Sequence, residues 1–457
     1  MTDVEERRIS CFRDRTQGRL YEQLADGTFG YLSSDGKTLH KVEYIEIGNV
    51  RYLPIDCKAT RMGVIPLPTG VQGYGTVEKL VKEIDMHIKK YFDCSDDFRQ
   101  FASLYIPMSW VADSLETISY LRFLGDYGTG KSRGFDTVGY LCYKPIMFGG
   151  SINPAPLFRL MDAWNGTLLL DECVLTDSTE QNNLVQVLNA GINKKGVVWR
   201  CSEEDNTPEP YNAYGPKIVG ARHSFADTAL ESRFITEHME ETNRNLPIEL
   251  PKEFYDEQRI LRRKLLMFRF KNWNKIGLTE LHAFQLPKVS RRLQQMVICF
   301  YITFVQWSKL CAGMSYYVER LHNRQMESGA ATIDGGIVTA ICDLHAAGFT
   351  QISSRDIRDQ MKGYGYDVEG ISDVSIGIRR KGLGIEARQM MINGKTKMSI
   401  VWDNALMAKL ITRYIPLAIR DELERKFKMS HRPFPSAPKQ GIEEDDMWSV
   451  AFKKQHQ

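Results

Sequence analysis

A glycine-rich segment, Gly125-Asp-Tyr-Gly-Thr-Gly-Lys-Ser132, could bind the phosphates of a nucleotide. It matches the pattern G-x-x-x-x-G-K-[ST], in which glycines allow backbone N–H groups to approach phosphate oxygens that a Cβ atom would obstruct. Lys131 is expected to reach the β- and γ-phosphates, and the Ser132 hydroxyl to complete Mg²⁺ coordination. A chance glycine-rich turn is the alternative. The predicted nucleotide-binding residues are Gly125, Tyr127, Gly128, Thr129, Gly130, Lys131, Ser132 and Arg133.

Two acidic residues follow a second apolar run and could complete this site. The segment Gly166-Thr-Leu-Leu-Leu-Asp171-Glu172 resembles a buried strand that ends in two acids, and Asp171 lies 40 residues beyond Lys131. An Asp at this position holds the Mg²⁺ water shell, and an adjacent Glu polarises the attacking water. An acidic surface turn would be the ordinary interpretation of this motif alone. Together with the phosphate loop, the acidic motif predicts ATP hydrolysis, with ATP and Mg²⁺ as cofactors. The predicted metal ligands are Ser132 and Asp171, and Glu172 is predicted to be a catalytic residue.

A parallel sheet is needed to position these residues. Short apolar runs alternate with helical segments from residue 118 onward, as in a parallel sheet that is covered on both faces. The gap between the two motifs accommodates a helix, a strand and another helix, so both motifs belong to one sheet. We predict an α/β fold with a three-layer core and strands at 120–124, 167–170 and 217–220. A helix from Arg133 to about Leu141 would direct its positive dipole end at the anion.

At these residues the chain resembles the AAA+ class of P-loop ATPases, in which the acidic pair is adjacent and follows the loop at a similar distance. Downstream, Tyr214-Gly-Pro-Lys-Ile-Val-Gly-Ala-Arg222 occupies the position of the sensor-1 strand of that class. The segment Asp227-Thr-Ala-Leu-Glu-Ser-Arg233-Phe234 ends like the arginine-finger motif of minichromosome-maintenance (MCM) helicases. The combination also resembles self-loading, MCM-like replicative helicases of mobile genetic elements, such as the staphylococcal cassette type. The resemblance covers roughly 120–235 and the C-terminal unit.

The resemblance implies that Arg233 is a catalytic residue that reaches the ATP of a neighbouring subunit, so hydrolysis would need a homo-oligomer, expected to be a hexameric ring. A surface salt bridge with Glu231 or Asp227 is the alternative for this arginine. The sensor-1 tip departs from the family pattern, because it reads Ala221-Arg222-His223-Ser224 where members carry Asn or another small polar residue. For the sensor-2 arginine, spacing leaves three candidates open, Arg262, Arg263 and Arg292.

A basic stretch at 193–200 lies between the acidic motif and the sensor-1 strand, and an acidic turn at 203–206 follows it. In helicases of this class a hairpin here lines the central pore. Trp199 could then stack on bases, and three cations could bind phosphates. Exposed loop charge without a ligand is an equally weighted interpretation. The three predicted DNA-binding residues are Lys194, Lys195 and Arg200.

The C-terminal part of the chain predicts three helices, with Ser353 and Ser372 as caps, and two strands at 385–388 and 397–402. The strands are joined around Asn393-Gly394, a hairpin signal. Three helices and a β-wing constitute a winged helix-turn-helix, and its local positive charge predicts salt-dependent DNA binding. A protein-interaction or ring-regulating module is the alternative, and no base-reading residue is identified. The predicted DNA-binding residues are Arg379, Arg380, Lys381, Arg388 and Lys397.

The changes of pattern along the chain predict six segments. Short strands separated by turn residues come first, helical spacing follows, and the sheet pattern begins at residue 118. The segments are an N-terminal β-rich domain (1–75), a helical connector (76–117), the AAA+ ATPase core (118–245), a helical lid or linker (246–328), the winged helix-turn-helix (329–410) and a C-terminal helix with a polar tail (411–457).

Composition limits the class of protein. The chain has 457 residues, with 60 Lys and Arg against 57 Asp and Glu, so any DNA-binding charge must be local. The near-average composition excludes collagenous and disordered chains. The 9 cysteines are scattered without a CxxC pair, which argues against a disulfide framework or a zinc site. We find no apolar run long enough to span a membrane and no secretory signal, so a cytoplasmic protein without a membrane partner is expected.

The leading hypothesis is a ring-forming, ATP-driven DNA helicase or translocase. Its expected partners are DNA, as a single strand or a fork, and replication accessory proteins. The main alternative is an initiator, loader or regulatory ATPase that binds DNA through the winged helix without unwinding it. A third hypothesis is a remodeller of protein partners, which an aromatic and hydrophobic pore loop would favour; no such loop is obvious in the sequence.

Overall fold

The computed structural model describes residues 4–149, 154–171, 178–201, 207–225, 227–276, 286, 289–330, 332–392 and 395–435. The chain divides into two compact units, Met1–Glu319 and Arg320–Gln457. This division lies near the predicted boundary at residue 329, and the other predicted boundaries stay predictions. Among the helices of the described ranges, none combines the length and apolar character that a membrane crossing needs.

Seven short strands open the first unit, as its turn residues predict. They are β1 (Glu5–Ile9), β2 (Cys11–Asp14), β3 (Arg19–Gln23), β4 (Phe29–Leu32), β5 (Leu39–Val42), β6 (Ile45–Ile47) and β7 (Val50–Pro54). One sheet has the order β1-β7-β6, and the other is an antiparallel meander in the order β2-β3-β4-β5. Tyr21, Phe29 and Ile45 form a small buried cluster between the strands. A single helical turn, α1 (Lys58–Arg61), follows.

Two capped helices connect these strands to the rest of the unit. They are α2 (Val77–Tyr91) and α3 (Asp96–Ser109). The Thr76 side chain accepts a hydrogen bond from the Lys79 N–H, and the Ser95 side chain accepts one from the Phe98 N–H, so each helix begins at a side-chain cap. Both helices were predicted from their apolar spacing. They pack against each other, and α3 also contacts an edge strand of the sheet that follows.

A five-stranded parallel sheet forms the centre of the first unit and confirms the predicted α/β class. Its strands are β8 (Tyr120–Leu124), β9 (Ile146–Gly149), β10 (Leu168–Asp171), β13 (Lys217–Ala221) and β14 (Phe234–His238), in the spatial order β14-β8-β13-β10-β9. All four neighbouring pairs are parallel. The helices between them are α4 (Lys131–Thr137), α5 (Pro154–Trp164), α6 (Ser178–Ala190) and α7 (Thr228–Glu231).

The strand order places the two predicted motifs on either side of one strand. β13 comes last of the three central strands in sequence but lies between β8 and β10 in the sheet. The segment that follows β8 and the acid that ends β10 therefore meet at the carboxyl edge, next to the tip of β13. In open parallel sheets such a change of strand order creates a crevice at this edge, where ligands bind.

The remaining elements of the first unit are a hairpin and a set of helices. The hairpin pairs β11 (Val197–Cys201) with β12 (Pro208–Asn212), as predicted, and its acidic tip at 203–206 lies outside the described residues. The helices are α8 (Lys252–Asn272), α9 (Arg291–Phe304) and α10 (Ser308–Ala330), in a segment that was predicted to be helical. The division between the two units falls within α10, after Glu319.

A buried group of charged side chains, here called the ion network, joins β3 to α8. Glu22 is 1% exposed and accepts a hydrogen bond from Arg269 Nε at 2.6 Å. Lys144 Nζ lies 3.0 Å from the same carboxylate, and the Tyr143 hydroxyl donates to it at 2.9 Å. Burial would raise the pKa of Asp113, but the charge of Arg269 beside it lowers that pKa to about 2. The N-terminal strands are thus fixed to the rest of the unit by Glu22, Asp113, Lys144 and Arg269.

The second unit follows the predicted order of three helices and two strands. Its elements are α11 (Ile333–Ala346), α12 (Ser354–Gly363), α13 (Asp373–Gly382), β15 (Ala387–Ile392), β16 (Lys395–Ile400), α14 (Asn404–Tyr414) and α15 (Leu417–Met429). Ser353 and Ser372 cap α12 and α13 as predicted. Ile341, Ile357 and Ile376, one from each of the first three helices, are fully buried in a common core.

Candidate nucleotide-binding site

The glycine-rich segment Gly125–Ser132 is the connection between β8 and α4, as a phosphate loop requires. Gly128 and Gly130 have φ angles of 75° and 90°, a left-handed backbone that favours glycine. A Cβ atom on Gly125 would lie 2.6 Å from the Met239 carbonyl oxygen. The glycines are therefore needed for the path of the loop. The helix after the loop is shorter than predicted, because α4 ends at Thr137 and a 3₁₀ turn, Gly139–Leu141, follows it.

The Lys131 ammonium group lies inside the loop. Its Nζ donates to the carbonyl oxygens of Gly125 at 2.7 Å and Asp126 at 2.6 Å, and the residue is only 5% exposed. Thr129 Oγ1 donates to the same Asp126 oxygen at 2.8 Å. The loop thus holds a cation where a phosphate group would need one, and the residues present fit the phosphates of a nucleotide.

The two predicted metal ligands lie next to each other, although 39 residues separate them. Ser132 Oγ donates to Asp171 Oδ2 at 3.4 Å. A hydroxyl and a carboxylate are oxygen donors of the kind that Mg²⁺ prefers, and Mg²⁺ usually keeps several waters besides one or two protein ligands. This donor set therefore fits the metal. Glu172, the predicted catalytic acid, lies outside the described residues.

A second cationic side chain, that of Arg222 at the predicted sensor-1 tip, lies at the same edge of the sheet. Arg222 directly follows β13, and its guanidinium carbon is 3.3 Å from the centroid of the Tyr127 ring. Tyr127 belongs to the phosphate loop, and its side chain is 65% exposed. A guanidinium over an aromatic face is attracted by the ring quadrupole. The tip of β13 therefore places a positive charge beside the loop, as an asparagine would not.

The predicted finger, Arg233, lies at the opposite edge of the sheet. It directly precedes β14, whose first residue, Phe234, pairs with Tyr120 at the start of β8. One guanidinium nitrogen of Arg233 donates to the backbone oxygen of Asn189 in α6. Arg292 Nε donates to Ser232 Oγ at 2.8 Å, and both burial and the charge of Arg233 lower the pKa of Arg292. Two arginines therefore lie close together at the amino edge.

The three candidates for the sensor-2 arginine contact different parts of the first unit. Arg262 donates to the Tyr140 carbonyl oxygen at 3.3 Å, and burial lowers its pKa to about 10. Arg263 donates to the Val71 oxygen at 3.3 Å, whereas Arg292 contacts Ser232.

The predicted loop residue Arg133 directs its guanidinium to the oxygens of Pro247 and Ile248, both at 2.8 Å. Contact between Arg133 and the phosphates stays a prediction.

The predicted DNA-binding residues of the hairpin differ in their surroundings. Lys194 and Lys195 are exposed, and Lys194 Nζ lies 3.5 Å from a Glu116 carboxylate oxygen. Arg200 packs over the Phe158 ring at 4.7 Å from its centroid, which the sequence did not indicate. Trp199 is 60% exposed and can stack on a planar ligand.

The predicted DNA-binding residues of the second unit also fall into two groups. Arg379 pairs with Asp334 at 3.0 Å, and Arg380 donates to the Ile385 backbone oxygen, so both take part in holding the unit together. Lys381 and Arg388 are exposed. The Lys397 side chain is outside the part that the structure describes. Arg379 is exposed to solvent as well as paired. DNA binding by these residues stays a prediction.

Comparison with known proteins gives distant structural likenesses. No protein-family model matches the chain, and no curated protein matches it either. Two apo structures of the NrS-1 C-terminal region are similar to 82% and 85% of this chain and 94% and 97% of their own, at 10% and 11% identity and TM-scores of 0.38 and 0.36. The X-ray structure of JCV helicase is similar to 56% of this chain and 68% of its own, at 11% identity and a TM-score of 0.24.

Proposed function

We propose that this chain is an ATP-hydrolysing motor of the AAA+ class that forms a ring and translocates or unwinds DNA. The observation that carries the proposal is the convergence of Lys131, Ser132 and Asp171 at the carboxyl edge of a parallel sheet. Ser132 Oγ and Asp171 Oδ2 are 3.4 Å apart there, and the Lys131 ammonium lies within the loop. This set of residues fits the phosphates and the metal of Mg·ATP.

The side chains at this edge would divide the work of hydrolysis. Lys131 would neutralise charge on the β- and γ-phosphates, and Ser132 and Asp171 would hold Mg²⁺, which neutralises charge that develops on the phosphates. Arg222 would add a further positive charge beside the loop. Glu172 as the residue that polarises the attacking water stays a prediction.

The position of Arg233 supports a site that two subunits share. The strand β8 begins at the level of Arg233 and ends at the phosphate loop. At a rise of about 3.3 Å per residue, its length places Arg233 roughly 20 Å from the loop. That distance exceeds the reach of a guanidinium, so Arg233 would serve a neighbour's nucleotide and not that of its own chain. A head-to-tail contact of this kind closes into a ring when the rotation permits, and a hexamer is the expected ring.

The exposed surfaces support DNA as the ligand. Trp199 on the hairpin can stack on bases, and Lys194 and Lys195 lie before the same strand. We assign the second unit to the winged helix-turn-helix class, because three capped helices precede a two-stranded hairpin. The finer assignment, an MCM-like replicative helicase of a mobile genetic element, depends on the segment that ends at Arg233.

A forked-duplex assay tests the proposal. With ATP and Mg²⁺, the full chain should separate the strands of a labelled fork and release phosphate, and Lys131→Ala should do neither. Both fork polarities are needed, since the direction of movement is not assumed. Phosphate release without strand separation on either fork would instead support an initiator or loader. Equal phosphate release by the Lys131→Ala variant would contradict the assignment of the site.

A further inference from the structure

Helix α13 exposes two large aliphatic side chains, here called the aliphatic stripe. Val374 and Ile378 are 71% and 68% exposed, whereas Ile376 between them is fully buried in the core. Residues four apart lie on the same side of a helix, so the two side chains form one surface. β-Branched residues are weaker helix formers than Ala or Leu, and these two gain little from burial. The stripe therefore does not stabilise the unit and is free to contact a ligand.

Three fixed contacts hold α13 with the stripe outward. The Ser372 side chain accepts a hydrogen bond from the Ser375 N–H and caps the first turn. At the same end Asp373 pairs with Arg358 of α12 at 2.7 Å, and at the other end Arg379 pairs with Asp334 of α11 at 3.0 Å. The helix is thus anchored at both ends to its neighbours.

The charge around the stripe is positive. The segment 353–402 contains nine Lys and Arg against six Asp and Glu. Asp373 of the helix itself and Asp334 of α11 are each paired with an arginine. Lys381 is exposed one turn beyond Ile378, and Arg388 is exposed on the following strand. An apolar surface flanked by cations complements a DNA groove, where apolar base groups lie between two rows of phosphates.

We propose that α13 enters the major groove of duplex DNA and that Val374 and Ile378 contact the 5-methyl groups of thymines. The inference extends the DNA-binding part of the proposed function. The thymine methyl is displayed only in the major groove, which is wide enough to admit a helix, and apolar side chains are its natural contacts. Recognition helices read bases with their N-terminal residues, and Val374 is the second residue of α13.

Replacing thymine by deoxyuridine tests this directly, because the two bases differ only in the methyl group. The full chain is titrated with an A·T duplex and with its A·U counterpart. Each duplex is closed by a hairpin at both ends, so that no free strand can enter a pore. Each buried methyl group lost should weaken binding about fourfold, so the A·U duplex should bind roughly 4- to 15-fold more weakly.

Variants separate contact by the stripe from effects of the methyl group on DNA shape. The double variant Val374→Ala, Ile378→Ala should bind both duplexes equally, at about the affinity of the unchanged chain for A·U. Ile419→Ala removes a similar aliphatic side chain, 37% exposed in the same unit, and should keep the preference for thymine. Circular dichroism and an unfolding curve confirm that each variant is folded.

Each other outcome overturns the inference. Equal binding of the two duplexes by the unchanged chain, or no binding of either, excludes thymine contact. A preference that survives in the double variant places the contact elsewhere. A double variant that binds DNA normally but changes its sedimentation coefficient identifies the stripe as a protein contact. Because strand separation and phosphate release are measured separately on the fork, the motor proposal can hold when this inference fails.

Discussion

Two inactive variants should restore each other if ATP is hydrolysed between subunits. Lys131→Ala removes the cation of the phosphate loop, and Arg233→Ala removes the cation at the opposite edge of the sheet. The two positions are roughly 20 Å apart within one chain, so neither variant has a complete site of its own. A mixed assembly contains interfaces at which the intact loop of one variant faces the intact arginine of the other.

The size of the recovery follows from the geometry. In a random equal mixture, about half of the subunits carry an intact loop, and about half of their neighbours carry an intact arginine, so about one quarter of the interfaces are complete. Loss of an arginine finger lowers the rate about 10³- to 10⁵-fold. The mixture should therefore reach about a quarter of the unchanged rate, which is more than about 100-fold above either variant alone.

Phosphate release at a fixed total subunit concentration measures this recovery. The two proteins are mixed at dilution, where assemblies dissociate, and are then reconcentrated. A mixture of Lys131→Ala with Asp171→Asn is the matched control, because both changes disable the same edge and no interface can be complete. A rate no greater than the sum of the separate rates, or an equal rise in the control mixture, would refute a site shared between subunits.

Two further predictions concern stability. Glu22→Gln should lower the free energy of unfolding of the first unit, measured in urea, by about 3–5 kcal/mol, because it leaves Arg269 buried without one of its two carboxylates. The control, Asp26→Asn, removes a charge from an exposed pair and should lower the free energy of unfolding by less than about 1 kcal/mol. Equal losses would contradict a structural role for the ion network. Burial and the charge of Arg432 lower the pKa of His345 from 6.5 to about 4. Between these two pH values the imidazole is protonated in the unfolded chain but not in the folded one. The urea midpoint of the second unit should therefore fall as the pH is lowered through this range. His345→Phe should reduce the change of the urea midpoint with pH. An unchanged pH dependence in this variant would contradict the role given to His345.

The arrangement of the candidate phosphate loop was predictable because its signals are local. The strand, the glycines and the Lys-Ser pair of the loop are consecutive, and Asp171 ends a short apolar run of the kind that forms a buried parallel strand. The sequence also placed both strands in one sheet. It did not predict that β13 lies between them, because strand order depends on how the connecting helices pack, which no short pattern encodes. The contact of Arg222 with Tyr127 follows from that order and was missed for the same reason.

Contacts between distant residues had no detectable pattern. Glu22 and Arg269 are 247 positions apart, and each resembles an ordinary charged surface residue in the sequence. The second hairpin shows a related error, because its strands were predicted at 385–388 and 397–402 and lie at 387–392 and 395–400. Ile385 and Trp402 are apolar because they pack into the helical core: Ile385 is 1% exposed, and Trp402 stacks on His345. Their apolar character extended the predicted strands in the wrong direction.

The ion network determines where this gene can be shortened. A protein that started at the predicted boundary after residue 75 would lose Glu22 and keep Lys144 and Arg269, two cations in an interior with one remaining carboxylate. Such a fragment would have to open its core to hydrate them or would aggregate, even though the nucleotide loop itself were intact. Studies of the first unit in isolation should therefore retain the N-terminal strands and remove the second unit instead.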